Sequence, residues 1–94
     1  MKVTSVYQKK ASKIGVTIQQ SKDKEKKFAV FKNGEFQTNI GASKYNDYES
    51  YKRIDPKIAL VRRDAYRSRH AKDLKIKYRD GKLTAGYLAN KILW

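Results

Sequence analysis

The pair Asn33-Gly34 constrains this chain more than any other feature. In "FAVFKNGEFQTNI" it separates two runs rich in aromatic and β-branched residues. A two-residue type I′ turn needs positive φ at both central positions, which Asn and Gly tolerate best. Counting outward, Lys32 faces Glu35 and Phe31 faces Phe36, so a salt bridge and an aromatic cross-strand contact are expected. Ala29, Phe31, Phe36, Thr38 and Ile40 then share one face. Upstream, "KIGVTIQ" alternates Ile14, Val16 and Ile18 with Lys13, Gly15, Thr17 and Gln19, the period of a half-buried strand. The charged "SKDKEKK" turns the chain between the two, and "VTSVYQ" near the start predicts a further strand. Residues 1–40 read as a small antiparallel sheet of three or four strands.

After Ile40 the pattern changes. "GASKYNDYESYKR" places Tyr45, Tyr48 and Tyr51 every third residue without strand alternation, which reads as a loop with at most a helical turn. Such tyrosines either stack on bases or, more commonly, cover a small core and keep a hydroxyl at its rim. "DPKIALVRRDAYRSRHAK" then reads as a helix, with Asp55 as N-cap, Pro56 at the first helical position and no glycine inside. At 100° per residue, Ile58, Leu60, Val61, Ala65, Ser68 and Ala71 collect on one side. Arg62, Arg63, Tyr66, Arg67, Arg69 and His70 collect on the other, an outward basic stripe by expectation. "LKIKYRDGK" is a connector with a turn at Asp80-Gly81. "TAGYLANKILW" predicts a second, short helix capped by Thr84, with Ala85, Leu88 and Ile92 on one face. The fold class is α+β, a sheet followed by two helices. With 94 residues it is a single domain, β-rich over 1–40 and helical and Arg-rich over 41–94.

Charge indicates the kind of partner. The formal net charge is +14, from 23 Lys and Arg against nine Asp and Glu, so a polyanion or an acidic protein surface is expected. All six arginines lie after residue 52, and the planar guanidinium suits close contact with phosphate or carboxylate. Arg62, Arg63, Tyr66, Arg67, Arg69 and His70 are therefore the candidate partner-binding residues. With no Cys and one His, disulfides are excluded and neither a metal nor a cofactor is expected. No run approaches a membrane span, and "MKVTSVYQKK" lacks the apolar core of a signal peptide. Use in a cytoplasm, or in a particle assembled there, follows as the expectation, with no membrane and no small-molecule substrate.

Catalysis finds few parts. A hydrolytic or nucleolytic site needs a nucleophile or metal, a base, and a group that stabilises developing charge. His70 has no second His, and the acids are scattered along the chain with no metal-binding spacing. No glycine loop cradles a phosphate. His70 reads as a residue at a helix C-terminus that bonds nearby carbonyls or a partner. The expectation is a protein that is not an enzyme, with a nuclease using His70 as the remote alternative.

Three blocks in order, "KKFAVFKNGEFQTNIGASKYNDYESYK", "YRSRHAKD" and "TAGYLANKILW", resemble a small uncharacterised family of giant DNA viruses and tailed bacteriophages. Its members carry "FGAKGYSDYT", a "YxxRH" segment and a closing "TAGFWSRWLLW". The matching positions are Gly41, Ala42, Tyr45, Asp47 and Tyr48; Tyr66, Arg69 and His70; and Thr84, Ala85, Gly86, Tyr87, Leu88, Leu93 and Trp94. The likeness covers residues 26–94, and "PKIALVR" is longer than the family's segment. It implies a viral origin and a structural role in the virion, as a minor or auxiliary capsid protein bound to the major capsid protein, to other virion subunits or to packaged DNA. A free nucleic-acid-binding protein with a regulatory or counter-defence role is the alternative. It also gives the last block two roles: Trp94 packs into its own core, or it docks with Tyr45, Tyr48, Tyr87 and Leu88 on a neighbouring subunit.

Overall fold

The structure, a computed structural model, describes residues 4–94. Its elements are α1 (Ser5–Lys13), β1 (Thr17–Gln20), β2 (Lys26–Lys32), β3 (Glu35–Ala42), α2 (Tyr48–Ile54), α3 (Pro56–Arg69), a 3-10 turn (Ala71–Leu74), β4 (Tyr78–Arg79), β5 (Lys82–Leu83) and α4 (Ala85–Ile92). The class is α+β, as expected, with more helix than the sequence suggested.

The hairpin forms as read. Asn33 and Gly34 have φ of 52° and 78°, Lys32 pairs with Glu35, and Phe31 pairs with Phe36. The two rings meet edge to face with centroids 5.7 Å apart. Two details differ. Lys32 donates to the Tyr78 hydroxyl at 2.7 Å and forms no ion pair with Glu35. Between Val30↔Thr38 and Phe31↔Phe36 the register shifts, leaving Gln37 opposite no residue. This bulge divides the face expected for Ala29, Phe31, Phe36, Thr38 and Ile40, because a register step reverses which side each residue occupies. Phe28 and Val30 are instead the fully buried residues of β2, opposite Ile40 and Thr38. The bulged Gln37 is put to use: its Oε1 accepts the Leu83 N–H at 2.9 Å and ties β5 to the sheet.

Strand order is β1-β2-β3, antiparallel throughout. The expected strand at "VTSVYQ" is a helix from Ser5 onward, and its Val3 lies outside the described residues. Tyr7 and Ala11, four apart, are both buried, which is the spacing of one helical face. The expected strand over 13–19 begins only at Thr17, since Ile14 and Gly15 close the helix through bonds to Ala11 and Ser12 carbonyls.

The expected loop at 41–53 holds α2, begun by a reciprocal cap. Ser50 N–H donates to Asp47 Oδ1 at 3.0 Å, and Asp47 N–H donates to Ser50 Oγ at 2.7 Å. Asp55 ends α2 and caps α3, accepting the Lys57 N–H at 2.9 Å, with Pro56 as the first helical residue. The connector carries a small hairpin turning at Asp80-Gly81. α4 follows with Thr84 as its cap. It buries Leu88, Ala89 and Ile92, whereas Ala85 is exposed and does not join that face. The core joins Tyr7, Ala11, Val16 and Ile18 to Phe28, Val30, Ile40, Leu83, Leu88, Ile92 and Leu93.

Candidate functional site

α3 is turned the opposite way from the expectation. Its one buried residue is Ala59, and Arg63, Tyr66 and His70 lie half-buried on the same side. Ile58, Leu60 and Val61, expected inside, are exposed. The cause lies in elements distant in sequence. α2 presents Tyr48 and Tyr51 to α3, and the C-terminal segment presents Trp94. Against these rings, planar guanidinium and aromatic groups pack better than branched aliphatic ones. The Arg63 guanidinium sits 4.4 Å from the centre of the Tyr48 ring, and Arg62 lies 5.6 Å from that of Tyr51. Tyr66 stacks on Trp94 at 4.6 Å and on His70 at 4.3 Å, and Trp94 also meets Tyr51 at 6.2 Å.

The expected basic stripe is therefore split. Arg63 is spent on Tyr48. Arg67 Nη2 donates to the Trp94 main-chain oxygen at 3.0 Å. Tyr66 has a ring on each side and offers no face to a partner. His70 Nδ1 lies 3.0 Å from Asp73 Oδ2, so the ring bonds a carboxylate rather than a carbonyl, while its own carbonyl accepts from Asn90 Nδ2 at 3.2 Å. Arg62 and Arg69 are exposed, Arg62 with its guanidinium over the Tyr51 ring. No arginine forms an ion pair with Asp or Glu among the described residues; the Lys ion pairs there are Lys10–Glu49 and Lys27–Asp47.

Trp94 packs on its own fold, the first of its two expected roles. Among its expected companions, Leu88 is fully buried and has no surface for a partner. Tyr45 is 66% exposed. Tyr48 and Tyr87 are half-buried beneath lysines, Lys10 lying 5.4 Å from the former ring and Lys77 5.5 Å from the latter.

Tyr45, Tyr51, Tyr66 and Trp94 line a cleft of about 550 Å³. Three separate stretches of chain meet there: Gly41, Tyr45 and Asp47; Tyr66, Arg69 and His70; and Gly86, Leu93 and Trp94. Lys26, Arg62 and Arg69 supply its cations, and Lys27 and Asp47 also line it. Lys27 and Asp47 are 2% and 1% exposed, with Nζ and Oδ2 3.1 Å apart, and the Tyr7 hydroxyl lies 2.8 Å from each carboxylate oxygen. Sequence reading missed this pair. Its signal was the Asp47-x-x-Ser50 capping pattern, hidden by reading the segment as loop; nothing local marked Lys27 among its lysine neighbours.

Burial, and next the Asp47 charge, push the Tyr7 hydroxyl well above the usual tyrosine range. Glu49 acts in the same direction and Arg53 against it. A raised pKa means that the folded state keeps a proton that the unfolded chain releases near pH 10. This contribution is present below about pH 10 and lost as pH rises above it. Urea unfolding between about pH 9 and 11 should show stability falling more steeply in the wild type than in Tyr7→Phe, by up to about 1.4 kcal/mol per pH unit. Equal slopes would contradict it.

Among the described residues, no three of His, Asp and Glu gather to hold a metal ion, and no helix is long and apolar enough to cross a membrane. In comparisons with protein-family models, curated proteins and solved structures, nothing matches this chain.

Proposed function

We propose that this protein is a non-enzymatic structural component of a DNA virus or phage particle, a minor or auxiliary capsid protein that grips an acidic surface. The observation that carries this reading is the set of six arginines without one Asp or Glu partner, on a chain of net charge +14. Such charge repels itself in the free protein and is relieved when an anion binds. Arg62 and Arg69, with Lys26 across the cleft, are the contacting groups. The acidic face of a protein shell is favoured over packaged DNA, because Tyr66, His70 and Trp94 are stacked together and Tyr48 and Tyr51 lie against Arg63 and Arg62, which leaves Tyr45 as the exposed ring for a base. The likeness of the three blocks, in order, to a family of viral proteins, together with their convergence on the cleft, supports the virion setting.

The test is a count of copies in purified particles by quantitative mass spectrometry, relative to the major capsid protein. A fixed ratio that survives release of the genome is the expected result. Loss together with the DNA would assign the arginines to the genome. Absence from particles would overturn the capsid reading in favour of a free nucleic-acid-binding protein. In that event, binding to duplex DNA should weaken with salt, log K falling by about 0.9 per phosphate neutralised for each tenfold rise in salt.

A further inference from the structure

The inverted α3 leaves a strip that the fold does not use. Val61 and Ile54 are each 68% exposed and Ile58 44%. Ile58, Val61 and Ala65 line a shallow depression together with Lys57 and Arg62. A cluster of branched aliphatic groups on so polar a chain marks a contact surface more than a solvated face. None of the protein's own elements covers it, since the inner side of α3 is already filled by Tyr48, Tyr51 and Trp94.

The charges around the strip select its occupant. Arg53 and Lys57 stand at the end where α2 meets α3, and Arg62 and Arg69 run along one edge; none has an Asp or Glu partner. Asp64 is the one acid on the outward side of α3. A nucleic acid would satisfy the cations and leave the isoleucines and valine wet. A second copy would cover them, but a two-fold contact sets the same patch against itself, bringing the Arg62–Arg69 edges of two chains of net charge +14 together. A protein surface with an apolar centre and an acidic rim satisfies both features, and that is the anatomy of a specific interface.

We infer that the α2–α3 ridge docks on such a surface, with Ile54, Ile58 and Val61 as apolar anchors and Arg53, Lys57 and Arg62 as the rim that meets carboxylates. The inference rests on the acidic-surface reading above and names how that surface is recognised.

Two synthetic helical peptides test it on the full chain by fluorescence anisotropy. One carries leucines along one face and glutamates elsewhere; the other has serines in place of the leucines. The leucine peptide should bind at least about tenfold more tightly. The double variant Ile58→Ser/Val61→Ser should lose that preference while melting at nearly the wild-type temperature, because both side chains are exposed. Equal binding of the two peptides would overturn the apolar anchor and leave the acidic-surface reading standing. Binding of neither, with retention of a short DNA duplex, would overturn both. Dimerisation in sedimentation that the double variant abolishes would assign the strip to a second copy and overturn the acidic partner.

Discussion

Asp47→Ala lowers the stability of this fold by about 3–5 kcal/mol, the range for removing one partner of a buried ion pair. A domain of this size holds about 5–15 kcal/mol in all, so the loss is a large share of the total and unfolds the variant where the total lies at the lower end of that range. Three losses combine. The Lys27 ammonium, 2% exposed, loses its counter-charge, and the Tyr7 hydroxyl loses its acceptor. The first turn of α2 loses the cap from Asp47 Oδ1 to the Ser50 N–H. Asp47→Asn keeps shape and much of the cap while deleting the charge, and should fall between wild type and Ala. Lys27→Met with Asp47→Asn removes both charges and should recover part of the loss, because neutral groups of similar volume often replace a buried pair at little cost. Urea unfolding followed by circular dichroism measures each. A loss under about 1 kcal/mol for Asp47→Ala would show that the pair is hydrated and contributes little.

What the sequence made legible follows the range of the signal. Asn33-Gly34 declared a turn, and with it the first two cross-strand pairs, because the turn's φ requirement lies in the two residues themselves; the bulge beyond Phe31↔Phe36 carried no such mark. Asp55-Pro56 and Thr84 announced α3 and α4 by the same local chemistry. α1 was misread because the β-branched and aromatic residues of "VTSVYQ" favour a strand by propensity, while the helical spacing of Val3, Val6 and Tyr7 spans too few residues to outweigh it. The orientation of α3 was beyond a helical wheel, which ranks arginine as polar and assigns it outward. Here Arg63 lies on Tyr48 and Tyr66 on Trp94, partners 15 and 28 residues away in number. The same holds at the cleft: that Gly41, His70 and Trp94 share one wall depends on tertiary packing alone. The arginine cluster was visible, but not which of its members remain free.

Gly41 shows how tightly that packing is drawn, and replacing it gives the second large expected effect. Its φ is +75°, in the left-handed region, and an added Cβ would sit 2.7 Å from Leu93 Cδ1 and 3.1 Å from Lys27 Cδ. Neither neighbour can retreat freely. Leu93 is buried in the core, and Lys27 is held by its bond to Asp47. Left-handed backbone costs an L-residue roughly 1–2 kcal/mol, and overpacking adds about 1–3 kcal/mol, so Gly41→Ala should lose about 2–5 kcal/mol. Gly81→Ala is the internal control, since its φ is +78° with nothing within 4 Å of the added carbon. It carries the backbone cost without the clash, and the difference between the two variants measures packing alone. A change at Gly41 also pushes Leu93 toward Trp94, so it should perturb the indole fluorescence while Gly81→Ala leaves it unchanged. Equal stability losses and unchanged fluorescence in both would mean that Leu93 and Lys27 yield readily, and that the floor of the cleft is looser than the buried ion pair requires.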